Sequence, residues 1–175
     1  MYLMLRVRRE QATDIPAIWK INERAFNGSV EARLVDLLRE ANKATISLVA
    51  MLNDELVGHI LFSPVTIEYN PRNLRGLGLA PIAVLPEYQK QGIDSRLVMQ
   101  GLEESRNKGY DLVVVLGHVS YFPLFGFKRA SLYGIINEYD VDESFMALEL
   151  RGGALNAVHG VVKYQVEFKE AETDS

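Results

Sequence analysis

The chain has 175 residues, 48% of them apolar and 24% charged, which is typical of a folded domain and not of a peptide scaffold or a disordered segment. It contains no cysteine, which excludes a disulfide framework, a cysteine-ligated metal site and a cysteine nucleophile. Its 19 lysines and arginines against 23 aspartates and glutamates give a net charge of −4. The overall charge therefore offers no attraction to nucleic acid or to an anionic membrane.

The N-terminal sequence lacks the basic region and the apolar stretch of about 7–15 residues that a signal peptide needs. No segment approaches the roughly 20 apolar residues of a membrane helix. We therefore expect a soluble, cytoplasmic protein with no membrane or nucleic-acid partner. No repeat or linker divides the sequence, which predicts a single domain over 1–168 and a polar, frayed tail over 169–175. The sequence leaves open whether the chain forms a homodimer.

The first elements are a strand and two helices. Alternating residues predict a strand over 3–9 with one buried face. The helical period that follows includes Asn22, can be capped by Thr13 or Asp14 and stops at Asn27-Gly28. A second helix then begins at Ser29 and carries an apolar stripe.

Two β-rich runs follow, over 46–52 and 56–67. They are separated by Asn53-Asp54, a pair that favours a tight turn, and so predict an antiparallel hairpin. Pro64 lies late in the second run, where it predicts a bulge or an edge position because proline has no backbone N–H to donate.

The middle of the chain predicts a βαβ unit. A strand over 77–85 is ended by Pro86, and a helix over 95–108 ends at Gly109. Residues 112–116 are an uninterrupted apolar run, typical of a strand that is covered on both faces. The remaining predicted elements are a short helix over 121–125 and strands over 146–150 and 160–168.

The loop between that strand and that helix, Gln89–Ser95, is the most informative segment. A buried strand leads into a loop that contains a glycine and opens a helix, whose first backbone N–H groups have no intrahelical acceptor. Such a loop can hold a phosphate or pyrophosphate, although it can also be a plain connection. It lacks the Lys-Ser/Thr of a P-loop, and it lacks the third glycine of a dinucleotide-binding loop and the acidic residue downstream.

Three sets of residues carry a resemblance to a known family. The segment Gln89 to Asp94 resembles motif A of the GNAT acyltransferase superfamily, Gln/Arg-x-x-Gly-x-Gly/Ala, with Gln89 and Gly92 in its first two positions. Residues 116–118 (LGH) and 121–127 (YFPLFGF) resemble motif B, which ends in Gly-Phe. Residues 31–35 (EARLV), 58–65 (GHILFSPV) and 78–84 (GLAPIAV) are similar to a bacterial branch of predicted N-acetyltransferases, the YhbS-like proteins.

This resemblance extends from about residue 5 to about residue 168 and implies an α/β (α+β) fold. The expected fold has a mixed, mostly antiparallel central sheet with helices on both faces. The sheet is splayed between the strands at 77–85 and 112–116, and acetyl-CoA lies in the gap. The acceptor amine would enter from the opposite side, near the first two helices, and attack the thioester directly.

The resemblance also implies a set of residues that contact CoA. The backbone of Ile82, Ala83 and Val84 would pair with the pantetheine arm, and the N–H groups from Lys90 to Ser95 would hold the pyrophosphate. The complete expected CoA-binding set is Ile82, Ala83, Val84, Gln89, Lys90, Gln91, Gly92, Ile93, Asp94, Ser95, Phe122 and Phe125.

Two positions depart from the family pattern. Asp94 stands where motif A has Gly or Ala, and a carboxylate about 4 Å from a phosphate would oppose it by roughly 1–4 kcal/mol. Alternatively, Asp94 is a helix N-cap whose charge is offset by Lys90 and Arg96. In motif B, many relatives have a proton-donating tyrosine at the position of Phe122. Tyr121 is one residue earlier and can equally be a packed aromatic side chain.

The remaining catalytic candidates are His118, Tyr121, Glu23 and Glu31. His118 follows a buried strand and can titrate near neutral pH, or it can simply form loop hydrogen bonds. Glu23 and Glu31 lie on the first two helices as potential bases, although solvent exposure and the helix dipole also explain them. His59 alternates with apolar residues and is expected in the core. The three scattered histidines do not form a metal site.

These observations favour an acyltransferase that moves an acetyl group from acetyl-CoA to an unidentified primary amine. The alternative is a CoA-binding or regulatory module with the same fold, in which Asp94 and Phe122 have removed turnover.

Overall fold

The structure, a computed structural model, describes residues 4–173. These residues form two compact units. Unit 1 comprises the chain up to Ser63, Ala80–Gly101 and the chain from Val166, and unit 2 comprises Pro64–Leu79 and Leu102–Gln165. The prediction of a single domain over 1–168 stays a prediction. No helix among the described residues is long and apolar enough to cross a bilayer.

Unit 1 contains the predicted strand, two helices and hairpin. These predicted elements are β1 (Leu5–Arg9), α1 (Ile15–Phe26), α2 (Val30–Glu40), β2 (Ile46–Leu52) and the first part of β3 (Glu55–Glu68), and the unit also includes the end of the next strand and residues of two further helices described below. Pairing is antiparallel from β1 to β2 and from β2 to β3. Asn53 and Asp54 have φ of 49° and 69°, the left-handed conformation that a tight hairpin turn requires. Leu3, in the predicted first strand, lies outside the described residues.

Helix α1 ends as predicted but begins differently. Asn27 has φ 54° and its N–H bonds to the Glu23 carbonyl, so it is a left-handed C-cap. A 3-10 turn over Ala12–Asp14 precedes the helix, and Asp14 makes no side-chain cap bond to it. Its carboxylate instead accepts hydrogen bonds from the Gln11 backbone N–H and from Arg8. Asp14 is thus the N-cap residue of α1 by position, as predicted, but its side chain makes no cap bond because an arginine and the preceding turn use its oxygens.

The strand predicted over 160–168 is confirmed only in its first four residues, and the predicted fraying of the described tail is wrong. β9 stops at Lys163 (Gly160–Lys163), and α4 (Glu167–Thr173) replaces both the end of the predicted strand and the described part of the frayed tail. Ala171 is fully buried in an apolar cluster of unit 1 whose other buried members are Ile18, Leu34, Val35, Leu38, Val49 and Leu61. Lys43 binds both oxygens of the buried Glu167, at 2.8 and 3.0 Å. Packing on α2 therefore orders a segment whose polar sequence indicates fraying.

Unit 2 contains the second part of β3 and the first part of β4 (Gly76–Val84), with the strands β5 (Leu112–Leu116), β6 (Lys128–Arg129), β7 (Ile135–Asn137), β8 (Phe145–Glu149) and β9. Within this unit β4 pairs with β5 in parallel and β5 pairs with β8 antiparallel. The β4–β5 register runs from Gly76 to Gly78. The short strands β6 and β7 are not in the predicted set. The strand pairing of the chain is mixed and mostly antiparallel, as predicted.

Pro64 does not form the predicted bulge. The irregularity in the hairpin lies between Ala50 and Met51 of β2. Pro64 falls instead where β3 changes partner, after Phe62 has paired with β2 and before Thr66 pairs with β9. Its carbonyl accepts a hydrogen bond from Gln165. A residue without a backbone N–H therefore lies where neither ladder needs one.

Helix α3 (Ile93–Asn107) begins two residues earlier than predicted and ends near Gly109, whose φ of 82° suits the predicted stop. Within unit 1, a side chain at Gly101 would overlap the ring of Phe62, which is fully buried. The absence of a side chain at Gly101 thus lets the helix lie directly on the sheet.

Candidate functional site

The loop between β4 and α3 lies within unit 1 and begins with a 3-10 turn over Pro86–Tyr88. Gly92 has φ 83° and open space where a side chain would lie, so the loop backbone is uncovered there. The first helical bond runs from the Arg96 N–H to the Gly92 carbonyl, at 3.2 Å. The N–H groups of Gly92, Ile93 and Asp94 precede this bond and so have no intrahelical acceptor. Such a row of amides at the start of a helix is suited to an anion.

Gln89 and Lys90, at the start of the loop, shape its backbone in different ways. The Gln89 side chain donates to the Val84 carbonyl at 3.0 Å, which fixes the loop to the end of β4. Lys90 has φ 62°, a conformation that costs a residue with a side chain about 1 kcal/mol or more. The chain therefore keeps an exposed ammonium group where glycine would be less strained.

Asp94 lies in the first turn of α3 and not at the N-cap that the sequence predicts. Its Oδ1 accepts a hydrogen bond from the Ser95 backbone N–H at 2.9 Å. The N-cap prediction is thus wrong in position, although the carboxylate does turn onto a helix amide. Asp94 consequently occupies one of the N–H groups expected to bind pyrophosphate.

The 3-10 turn before the loop is joined to α1 by an ion pair. Arg24 Nη1 donates to Glu87 Oε1 and Arg24 Nη2 donates to Glu87 Oε2, each at 2.8 Å. The hydrogen bond from Arg24 lowers the pKa of Glu87 below its ordinary value. Next to it, the Tyr88 hydroxyl donates to Glu55 at 3.1 Å.

His59 is fully buried in unit 1, as predicted, and it belongs to a chain of polar side chains. Asn22 Nδ2 donates to the Ile18 carbonyl at 3.0 Å and lies 3.3 Å from His59 Nδ1. Nδ1 must therefore accept, and the ring hydrogen is on Nε2, which lies 2.8 Å from Ser47 Oγ. Ser47 in turn donates to Glu10 at 2.5 Å.

The charge at the end of this chain is paired. Arg39 binds both oxygens of Glu10, at 2.6 and 3.1 Å. Burial raises the pKa of Glu10, but the hydrogen bonds from Arg39 and Ser47 together leave that pKa below its ordinary value. Burial lowers the pKa of His59 to about 4. His59 is thus neutral and cannot activate Ser47, because it donates to the hydroxyl and does not accept from it.

The motif B residues lie in unit 2. His118 is exposed, and its carbonyl accepts from the N–H groups of Tyr121 and Phe122. Tyr121 contacts the rings of Phe122 and Phe125 edge-on, with centroids 5.1 and 5.2 Å apart. Phe122 is buried, and its ring leaves no room for a side chain at Gly117. The Tyr121 ring thus packs edge-on against two phenylalanine rings.

The two carboxylate candidates are on helices of unit 1, Glu23 exposed on α1 and Glu31 half-buried in the first turn of α2. Ile82, Ala83 and Val84 are the last residues of β4 in the same unit. The described part of the chain holds no group of three or more histidines, aspartates and glutamates that could bind a metal ion. The expected CoA loop residues and both glutamates thus belong to unit 1, and the motif B set belongs to unit 2.

The sequence reasoning missed two features of unit 1. Arg24 and Glu87 are 63 positions apart, and no local pattern links them. The polar partner of His59 did leave a signal, because Asn22 interrupts an apolar helical stripe and is fully buried. A polar residue in such a stripe indicates a buried hydrogen bond.

The chain belongs to the GNAT acetyltransferase family. The family model described as an acetyltransferase (GNAT) domain matches residues 6–130. The fold class predicted from the sequence is confirmed by this membership and by the similarity to solved structures of the family.

Several relatives are similar over almost the whole chain. The uncharacterized N-acetyltransferase YhbS of Escherichia coli K12 is 35% identical over 164 residues, covering 93% of this chain and 97% of YhbS. The crystal structure of E. coli YhbS in complex with CoA matches with a TM-score of 0.90 at 34% identity, covering 97% of this chain and 94% of that one. A GNAT family acetyltransferase from Brucella melitensis in complex with acetyl-CoA matches with a TM-score of 0.78 at 32% identity, covering 95% and 99%.

Proposed function

We propose that this chain transfers an acetyl group from acetyl-CoA to a primary amine by direct nucleophilic attack. The observation that carries the proposal is the row of backbone amides over Gly92–Asp94 at the head of α3, in a chain of the GNAT family. The CoA and acetyl-CoA complexes of two similar proteins support the same cofactor here. The pyrophosphate would accept hydrogen bonds from these amides, and the Lys90 ammonium would add positive charge in a protein whose net charge is −4.

The end of β4 would bind another part of the cofactor. The backbone of Ile82 and Ala83 would pair with the pantetheine arm as an added strand. The Val84 carbonyl already accepts from Gln89, so its contribution would be to hold the loop. Gln91 and Ile93 would contribute backbone N–H groups, and Ser95 would contribute its N–H only in competition with the Asp94 carboxylate. Phe122 and Phe125 would cover apolar parts of the cofactor.

The reaction requires two proton movements. The acceptor ammonium first loses a proton, and the nitrogen lone pair then attacks the thioester carbonyl carbon. The tetrahedral intermediate collapses with cleavage of the C–S bond, and the thiolate takes up a proton as CoA leaves. No acyl-enzyme on cysteine is available, since the chain has none.

Four residues are candidates for these proton transfers. Glu23 and Glu31 are placed on α1 and α2, the helices that face the acceptor in the family, and either would serve as the base. His118 or Tyr121 would protonate the thiolate, with His118 favoured by its exposure and Tyr121 disfavoured by its contacts with two phenylalanines. Water is the remaining proton source.

A second candidate function is CoA binding without turnover. Two observations favour it, namely the Asp94 carboxylate on the Ser95 amide and the buried Phe122, which has no proton to give. Such a module would bind CoA more weakly than an enzyme with glycine at position 94 and would release no thiol.

The test combines catalysis with binding. Thiol release from acetyl-CoA is measured with a panel of polyamines, amino acids, aminoglycosides and peptides, and the melting temperature is measured with and without CoA. We expect a melting-temperature increase with CoA and thiol release with at least one amine. A temperature increase without thiol release from any amine of the panel favours the binding module, and the absence of both refutes the CoA assignment.

A glycine pair provides the matched control. Gly92→Val places a branched side chain at φ 83°, distorts the loop and should abolish the CoA-induced increase. Gly152→Val changes a glycine with equally open surroundings and no positive φ, and should leave the increase unchanged. Equal behaviour of the two variants would contradict the placement of CoA at this loop.

A further inference from the structure

The segment that leads into the candidate CoA loop is held by side chains from three separate places in unit 1. Arg24, in the last turn of α1, donates two hydrogen bonds of 2.8 Å to Glu87. Tyr88 bonds to Glu55 at the start of β3, at 3.1 Å. Gln89 bonds to the Val84 carbonyl at 3.0 Å. Three successive residues are thus fixed just before the loop amides begin.

Residues 90–92 of the loop are exposed. Lys90 is held in a left-handed conformation, and Gly92 has open space around it. A segment with a strained residue and few contacts opens easily unless its ends are fixed. The parallel two-bond geometry of an arginine with a carboxylate fixes orientation as well as distance, which the single bonds of Tyr88 and Gln89 do not.

We propose that Arg24 and Glu87 are a positioning pair for the CoA loop, through which α1 holds the amides of residues 90–95 in their binding arrangement. This inference rests on the proposed function. Neither residue is proposed to contact CoA. They act by reducing the conformational freedom that the loop would lose when CoA binds. Because α1 also carries the acceptor-side candidate Glu23, the pair joins the cofactor loop to the acceptor helix.

Substitution of Glu87 by an uncharged residue distinguishes a positioning role from a purely electrostatic effect on CoA binding. CoA is a polyanion, so the loss of a nearby carboxylate should by charge alone tighten its binding. If Glu87 positions the loop, Glu87→Gln should instead weaken CoA binding. A half-exposed ion pair of this kind corresponds to an effect of about 2- to 5-fold in the dissociation constant.

The experiment measures CoA affinity by calorimetry on the full chain. We expect Glu87→Gln and Arg24→Gln each to weaken binding, and the double variant to be no weaker than either single one, because both remove the same contact. Arg24→Lys should restore only part of the affinity, since lysine keeps the charge but not the two-bond geometry. Asp54→Asn removes an exposed carboxylate that pairs with Arg6 in the same unit, and it should show no weakening.

A second measurement does not require CoA. In hydrogen exchange, Glu87→Gln should speed exchange of the hydrogen-bonded amides on either side of the loop, those of Tyr88 and Arg96, and leave those of β2 unchanged. A general loss of stability would speed both. Tighter or unchanged CoA binding by Glu87→Gln, or additive effects in the double variant, overturns the positioning role while leaving the proposed function intact. Absence of CoA binding by the unmodified chain overturns both.

Discussion

Replacement of the buried His59 should change how the stability of the protein depends on pH. The ring is fully buried and neutral, with Nδ1 accepting from Asn22 and Nε2 donating to Ser47. Gln can reproduce both contacts, because its side chain has one acceptor and one donor but does not titrate. His59→Gln therefore removes the protonation and retains the hydrogen-bonding pattern.

The size of the effect follows from the pKa. Burial lowers the pKa of His59 from 6.5 to about 4. The unfolded chain thus binds the proton more tightly than the folded one, and stability falls as pH decreases from about 6.5 to about 4. The full difference corresponds to about 3 kcal/mol, of which about 2 kcal/mol is already lost at pH 5. Above about pH 7 the ring is neutral in both states and contributes no slope.

Urea unfolding followed by fluorescence of Trp19, the single tryptophan, reports on α1 in the same unit. The unmodified protein should lose about 2 kcal/mol between pH 7.5 and pH 5, and His59→Gln should lose correspondingly less. His159→Gln, which changes an exposed histidine, should keep the original slope. Equal slopes for the unmodified protein and His59→Gln would refute the assignment of a buried, neutral His59.

Substitutions at three further positions test the loop and the packing beneath it. Asp94→Gly should tighten CoA binding about tenfold, because it removes a negative charge and the acceptor of the Ser95 amide. Asp94→Asn keeps an acceptor and should tighten CoA binding less. Unchanged or weaker CoA binding in calorimetry would contradict this prediction. Lys90→Gly should raise the melting temperature, because glycine adopts φ 62° without strain, and should weaken CoA binding, because the ammonium group is lost. A fall in both the melting temperature and the CoA affinity would contradict the proposed backbone strain at Lys90. Gly101→Ala should destabilise the protein by about 1–3 kcal/mol in urea unfolding, because its methyl group would overlap the Phe62 ring.

The sequence predicted the elements that have a strong local signature. The α1 stop at Asn27, the Asn53-Asp54 turn and the β4–α3–β5 order each follow from a few neighbouring residues, and the structure confirms them. Segments such as β6, with two residues, and β7, with three, are too short to show a period. They form because they pair with β8 and β9, which no local pattern encodes.

The sequence predicted the position of the candidate site but not the contacts within it. Motif A located the loop because its residues are contiguous, and the structure places them at the head of α3. The direction of the Asp94 side chain and the left-handed Lys90 could not be read from the sequence, since both depend on how the loop closes onto the helix. The Arg24–Glu87 pair depends on tertiary structure alone. Contacts between distant residues become visible only once the fold is known.

The burial of Ala171 in α4 has a consequence for how the protein folds. Unit 1 combines segments that lie far apart in the sequence, and its apolar cluster is complete only when α4 has docked on it. The carbonyl of Ala171 also accepts hydrogen bonds from Arg33 of α2, 138 positions away. The completion of this unit therefore requires a long-range contact, and the docking of α4 must overcome the entropy of closing a long loop.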